Sequence, residues 1–175
     1  HVGRLVKWKR VDLLLHAVAR LQSKIANIEL VVIGTGPEEA ALKKLAHDLG
    51  ISTHVQFLGS IYDPKVLGSY FMSAPLYVLA GMGGLSINEA MSYGRAVLCS
   101  VADGTEKKLV REGYNGSYFK NGDLEDLIAK IESLLLNQEL LTQMGTNSLF
   151  IIKNEINIHT VINGYVAAFN YVCPG

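Results

Sequence analysis

Residues 75–100 read PLYVLAGMGGLSINEAMSYGRAVLCS and contain a complete strand–helix–strand unit. PLYVLA (75–80) and AVLCS (96–100) are short, continuous apolar runs, which are typical of buried strands in a parallel sheet. The residues between them predict a short helix over 86–94 that ends at Gly94. Two strands joined by a helix are the repeating unit of an α/β fold, so this stretch predicts a parallel sheet covered by helices.

The same alternation extends along the chain on both sides of this unit. Upstream, the predicted strands are residues 2–6, 29–34 and 54–59, and the predicted helices are 12–24 with Asp12 as N-cap, 37–50 beginning at Pro37 and ending at Gly50, and a weaker one near 64–72. Downstream, the predicted helices are 106–112, 123–137, 139–153 and 159–172, with no strong strand between the last three. We expect one α/β domain over residues 1–175, a Rossmann-like doubly wound parallel sheet of about six strands with C-terminal helices.

The composition indicates a globular protein and excludes several classes. Hydrophobic residues make up 49% of the 175 residues and charged residues 18%, which is not the balance of a disordered chain. The 16 basic residues equal the 16 acidic ones, so the chain lacks the basic excess of a nucleic-acid-binding protein. No apolar run reaches the roughly 20 residues of a membrane span.

The cysteines and the first residues set two expectations about context. Cys99 and Cys173 are too few for a disulfide framework and suit a reducing, cytoplasmic location. The chain opens at His1, without an initiator methionine and inside an apparent strand, so we expect a piece of a longer protein.

Ligands of open parallel sheets bind beyond the carboxyl ends of the strands, where two glycine-containing turns compete. The first, GTGPEEA (34–40), resembles a dinucleotide-binding turn, but its third glycine position holds Glu39. Glu38 and Glu39 would occupy the first helical turn, where carboxylates already offset the positive end of the helix dipole. A phosphate there would meet like charge, so we do not expect dinucleotide binding at this turn.

The second turn, Gly83-Gly84-Leu85-Ser86, leads into a predicted helix with no acidic residue before Glu89. Its backbone N–H groups and the helix dipole could receive an anion. Two alternatives involve no ligand. Gly84 could only avoid a clash in a tight turn, and Glu89 could return to the Ser86 N–H in a capping box.

Basic residues cluster after the first predicted strand, at Arg4, Lys7, Lys9 and Arg10. Such a run is often only a solvated surface, but this one lies at the ligand-binding edge of the sheet. If the turn at 83–86 holds a diphosphate, Arg4 and Lys9 would supply positive charge to it. The histidines show no metal-ligand spacing and no carboxylate pair is placed to bind a metal, so we expect no metal site.

Five segments of the chain, in one order, carry a resemblance to a known family. They are GRLVKWKRVDLLLHAVARL (3–21), VVIGTGPEEAALKKLAHDLG (31–50), VQFLGSI (55–61), GLSINEAMSYGRAV (84–97) and REGYNGSYFKNGDLEDLIAKI (111–131). Together they resemble the C-terminal, donor-binding domain of the retaining GT-B glycosyltransferases, the glycosyl transferases group 1 family. Each segment alone is weakly specific, but their order is quite specific, and the resemblance covers essentially the whole chain.

The resemblance implies roles for the residues at the two clusters. Arg4 and Lys9 match the basic residues that act on the donor diphosphate, and we take them as catalytic. The diphosphate would also face the backbone amides of Gly83, Gly84, Leu85 and Ser86. Glu89 matches the glutamate that holds the ribose hydroxyls, and the loop that touches the nucleobase corresponds to Ser60 and Ile61.

Three positions depart from the family pattern. The family usually has a glutamate eight residues before Glu89, and here that position is Gly81, so the usual side-chain contact with the donor sugar is lost. The residue after Lys9 is commonly glycine and is Arg10 here. An acidic residue of the family corresponds approximately to Lys108, to which we carry no catalytic role.

The implied activity is transfer of a glycosyl unit from a nucleotide-diphosphate sugar to an acceptor hydroxyl, with retained anomeric configuration, in polysaccharide or glycoconjugate synthesis. No cofactor is expected besides this donor substrate. A missing N-terminal domain of the same protein would supply the acceptor site, so the isolated chain should bind nucleotide with little turnover. Peripheral membrane association of the full protein is compatible with this reading. The alternatives are a sugar-nucleotide epimerase of the same fold and a non-catalytic nucleotide-binding module, which Gly81 favours.

Overall fold

A computed structural model describes residues 1–101 and 104–173 of the chain. Its strands are β1 (Leu30–Val32), β2 (Val55–Phe57), β3 (Leu76–Leu79), β4 (Ala96–Ser100) and β5 (Gly116–Phe119). Its α-helices are α1 (Val11–Leu21), α2 (Glu39–Asp48), α3 (Pro64–Ser73), α4 (Ser86–Ser92), α5 (Leu124–Leu135), α6 (Gln138–Asn154) and α7 (Ile158–Val172). Short 3-10 turns cover Lys7–Lys9, Ser52–His54 and Thr105–Lys108.

The strands pair in parallel, as the sequence predicts. β1 pairs with β2, and β3, β4 and β5 lie side by side in that order. The opening segment runs beside the end of β1, where Val2 bridges Ile33 and the Leu5 N–H donates to the Thr35 carbonyl at 2.9 Å. The strand predicted over 2–6 is therefore one bridge followed by extended backbone, and it leads into the 3-10 turn at Lys7–Lys9.

Side chains of β4 enter hydrophobic cores on both faces of the sheet. Leu98 lies in a core shared with α1, α2 and α5. Val97 and Cys99 lie in a second core, with side chains from α3, α4 and the end of α6. Because successive side chains of a strand point to opposite faces, this division confirms a doubly wound α/β sheet, with helices on both of its faces.

The structure adds one strand after β4 that the sequence did not single out. β5 lies so close to β4 that a Cβ on Gly116 would be 2.1 Å from the Val97 carbonyl oxygen. The helix predicted over 106–112 is only a 3-10 turn. The buried Asn115 amide bonds the Leu109 carbonyl at 3.1 Å and the Arg111 N–H at 2.7 Å, so a side chain takes the backbone partners that a longer helix would use.

Two predicted helix starts are also corrected. Asp12 lies in the first turn of α1 and is not its N-cap, because Arg10 adopts the left-handed conformation (φ 51°) at that position. The Asp12 carboxylate instead pairs with the Arg10 guanidinium at 3.0 Å. Pro37 lies in the turn before α2, which begins at Glu39. Gly50 ends α2 as predicted, with φ 70°.

The two cysteines differ sharply in environment, which leads to a chemical prediction. Burial, with the nearby Glu106 and Glu112 carboxylates, raises the pKa of the Cys99 thiol to about 12, whereas Cys173 is exposed. Because the thiolate is the reactive form, Ellman's reagent at pH 8 should titrate Cys173 rapidly and Cys99 only after denaturation. Equal reaction rates of both thiols in the native chain would contradict the buried placement of Cys99.

The C-terminal helix α7 is exposed along its whole length. Its exposed apolar side chains include Ile158, Ile162 and Phe169. Across the ranges 1–101 and 104–173, the structure contains no helix with the length and hydropathy needed to traverse a bilayer.

Candidate functional site

The turn between β3 and α4 has a row of available backbone donors. α4 begins at Ser86, its N-cap is Leu85, and no side chain caps the helix. The N–H groups from Gly83 to Ser86 donate no hydrogen bond to any residue that the structure describes. Leu85 is 84% exposed, so the turn faces solvent. Such N–H groups can receive an anion without first breaking an internal bond.

Lys9 lies directly on this turn. Its ammonium Nζ donates to the Met82 carbonyl at 2.9 Å and to the Gly83 carbonyl at 2.7 Å. A Cβ on Gly84 would be 3.2 Å from the same Nζ. Lys9, which the sequence associates with the second glycine turn, therefore contacts the start of that turn.

Arg4 occupies a different part of the same sheet edge. Its exposed side chain lines a cleft of about 440 Å³ together with the Gly34–Gly36 turn and residues 60–62. Within the described part of the chain, the Arg4 side chain makes no hydrogen bond or ion pair. The structure thus brings Lys9 to the glycine turn and leaves Arg4 beside Ser60 and Ile61.

The wall of this cleft is closed by a hydroxyl pair that sequence reasoning missed. Thr35 Oγ1 and Ser60 Oγ lie 3.1 Å apart and join the loops that follow β1 and β2. Ile61 lines the cleft beside them. The pairing could be anticipated only from the topology, because parallel neighbouring strands bring their following loops together.

The Ser86 side chain accepts a hydrogen bond from a second residue that the sequence did not single out. The hydroxyl of Tyr77, on β3, donates to Ser86 Oγ at 2.8 Å. Burial raises the pKa of Tyr77 to about 12, so the phenol keeps its proton at neutral pH. Tyr77 therefore ties the start of α4 to the sheet.

Glu89 does not form the capping box that was one alternative for it. Ser86 is a helical residue and not the N-cap, and the described residues include no hydrogen-bond or ion-pair partner for the Glu89 carboxylate. The side chain is half-buried, one turn into α4. A ligand of this carboxylate would therefore displace no hydrogen bond or ion pair to the described residues.

The first glycine turn is explained by packing. A Cβ on Gly34 would lie 2.0 Å from the Gly3 carbonyl oxygen, and one on Gly36 would lie 2.2 Å from that of Leu5. These glycines allow the opening segment to cross against the turn. Packing alone therefore accounts for the presence of these two glycines.

Gly81 is also explained by a close approach of backbone. Its Cβ would lie 2.0 Å from the Trp8 carbonyl oxygen. The loop that carries Lys9 thus fills the space into which a side chain at position 81 would extend.

Lys108 is exposed, and the buried carboxylate in its region is Glu106, two residues earlier.

Comparison with known proteins places this geometry in a family. The chain matches the family model for glycosyl transferases group 1 over residues 1–149. It is 30% identical over 173 residues to an uncharacterized glycosyltransferase of Methanocaldococcus jannaschii, covering 96% of this chain and 43% of that protein. The chain therefore spans less than half the length of this relative.

Solved structures share the fold. The structure of Anabaena HepE in complex with UDP superposes with a TM-score of 0.86 at 22% identity, covering 98% of this chain and 48% of that one. The C-terminal domain of the group 1 glycosyl transferase LpcC from Francisella tularensis superposes with a TM-score of 0.79 at 23% identity, covering 89% and 84% of the two chains. The chain belongs to the glycosyl transferases group 1 family and has the fold of the C-terminal domain of a GT-B enzyme.

Proposed function

We propose that residues 1–175 are the donor-binding domain of a retaining glycosyltransferase. The domain would bind a nucleotide-diphosphate sugar, whose glycosyl unit is transferred to an acceptor hydroxyl with its anomeric configuration retained. The observation that carries the proposal is the seating of Lys9 Nζ on the carbonyls of Met82 and Gly83, beside the unbonded N–H groups of residues 83–86. UDP in the HepE structure supports a nucleotide ligand for this fold.

The chemical demand of the reaction matches these groups. As the glycosidic bond stretches, the departing nucleoside diphosphate gains negative charge. The Lys9 ammonium and the N–H groups of Gly84, Leu85 and Ser86 would stabilise that charge from fixed positions. The exposed Arg4 guanidinium would have to turn from the neighbouring cleft to the phosphates. Preorganised donors of this kind lower the barrier because they need no rearrangement during the reaction.

The rest of the nucleotide would extend from the turn toward the 440 Å³ cleft. Glu89, with no internal partner among the described residues, would accept hydrogen bonds from the ribose hydroxyls. Ser60 and Ile61 would contact the nucleobase, mainly through backbone groups.

Calorimetric titration with UDP, GDP and ADP tests the proposal. One of the three should bind, and Arg4→Ala or Glu89→Gln should each weaken it by roughly tenfold or more, as expected for lost hydrogen bonds to charged groups. Arg20→Ala and Glu125→Gln are matched controls, because these residues form an exposed ion pair at 3.0 Å between α1 and α5. Unchanged affinity in Glu89→Gln would remove the ribose role, and no binding of any nucleotide would overturn the proposal.

A non-catalytic nucleotide-binding module is the second candidate, because Gly81 leaves the sugar end of the site without a carboxylate. Both candidates predict nucleotide binding by the isolated chain and little turnover, since the acceptor site and the walls that exclude water would lie in another domain. Sugar transfer by the whole protein, detected by mass spectrometry of the product, would favour the enzyme. Efficient transfer by the 175-residue chain alone would contradict the two-domain proposal.

A further inference from the structure

The space on the Cβ side of Gly81 is filled by backbone atoms and not by another side chain. An ideal Cβ there would lie 2.0 Å from the Trp8 carbonyl oxygen and 2.8 and 2.9 Å from Lys9 C and Cα. Real Cβ atoms do not approach backbone that closely, so even alanine would force the two segments apart. Gly81 is not among the glycines with positive φ, so the requirement for glycine comes from the close approach alone.

The close approach holds two segments together that are far apart in sequence. The Met82 N–H donates to the Trp8 carbonyl at 3.1 Å. In the opposite direction, Lys9 Nζ donates to the carbonyls of Met82 and Gly83 at 2.9 and 2.7 Å. The 7–10 loop is thereby fixed on the 81–83 segment by both its backbone and its lysine.

The consequence is that the location of the Lys9 charge depends on position 81. Lysine has a long, flexible side chain, and fixing its ammonium beside the phosphate site lowers the entropy that a ligand must otherwise remove. A side chain at position 81 would lift Trp8 and Lys9 together, because the blocked atoms are the backbone of both residues. The ammonium would then leave the edge of the 83–86 turn.

We propose that Gly81 is a positioning residue for the donor site: it seats the 7–10 loop so that Lys9 lies on the glycine turn. The inference rests on the proposed function for its effect on ligand binding, but the seating of the loop is a property of the chain itself. This role also explains why position 81 has no carboxylate. The space that such a side chain would enter is filled by the backbone of Trp8 and Lys9, which places the Lys9 ammonium on the turn.

The test compares Gly81→Ala, Lys9→Ala and the double variant by calorimetry with UDP, GDP or ADP, whichever binds the parent chain, and with the corresponding nucleoside. Gly81→Ala should weaken nucleoside diphosphate binding by roughly tenfold or more and leave nucleoside binding unchanged, because only the phosphates face Lys9. In the Lys9→Ala background it should cause little further loss. Gly164→Ala is the control, because a Cβ at that glycine meets nothing within 4 Å.

A ligand-free readout separates this inference from the proposed function. Trp8 is the single tryptophan of the chain, so its fluorescence reports the 7–10 loop alone. Gly81→Ala should lower the Trp8 anisotropy while circular dichroism stays native, and Gly164→Ala should change neither. Unchanged Trp8 fluorescence, global unfolding of Gly81→Ala, or additive losses in the double variant would each overturn the positioning role. If the parent binds no nucleotide but Trp8 responds as expected, the proposed function fails and the seating of the loop stands.

Discussion

Lys9→Ala should lower the rate of sugar transfer by the whole protein on the order of a hundredfold or more, as found when one preorganised donor to a developing oxyanion is removed. The physical reason is the position of Nζ, which is fixed on the Met82 and Gly83 carbonyls at the edge of the proposed diphosphate site. Water that replaces the ammonium would have to reorient as the leaving group gains charge. The measurement is the initial rate of product formation at saturating donor.

Lys7→Ala is the matched control for this substitution. Lys7 lies in the same 3-10 turn and carries the same charge, but its side chain is exposed and forms no hydrogen bond or ion pair with the residues described. Its loss should change the rate less than about threefold, because exposed charges are screened by salt. Similar losses in both variants would mean that the site senses only the general charge of the loop.

Leu98→Ala should lower the free energy of unfolding by about 2–5 kcal/mol, the range for removing a large aliphatic side chain from a packed core. Leu98 is 0% exposed and lies on β4, the strand between β3 and β5. Its side chain packs in the core formed with α1, α2 and α5. The substitution would therefore leave a cavity between the sheet and the helices on that face. Urea unfolding followed by circular dichroism measures the change.

Leu136→Ala provides the comparison, because Leu136 is 69% exposed at the end of α5. That substitution should change the unfolding free energy by less than about 0.5 kcal/mol, as is usual for surface positions. If the two variants unfolded at the same urea concentration, β4 would not be the centre of the core.

The central α/β architecture could be predicted because its signals are local. Buried parallel strands such as β3 and β4 are continuous apolar runs, and α4 is bounded by its own glycine turns. β5 escaped prediction because its sequence begins with Gly116 and Ser117, and glycine is required at 116 by the close contact with β4. The requirement for glycine comes from the neighbouring strand β4, so the residues around 116 do not reveal it.

The candidate site could be predicted only in part, because some of its contacts depend on tertiary packing. Lys9 was associated with the 83–86 turn from the rule that ligands bind at the carboxyl ends of strands, and the structure brings the two together. The contact of Trp8 with Gly81 and the bond from Tyr77 to Ser86 were missed, because each joins residues through tertiary packing. In the sequence alone, Gly81 stands out only because a carboxylate is missing at that position.

The most direct test of the central claim is a crystal structure of the chain with the nucleoside diphosphate that binds it most tightly. We predict diphosphate oxygens within hydrogen-bond distance of the N–H groups of residues 84–86 and of Lys9 Nζ, with the Arg4 guanidinium turned toward them. The nucleobase should lie against Ser60 and Ile61. A diphosphate bound elsewhere, with those N–H groups still unoccupied, would contradict the account.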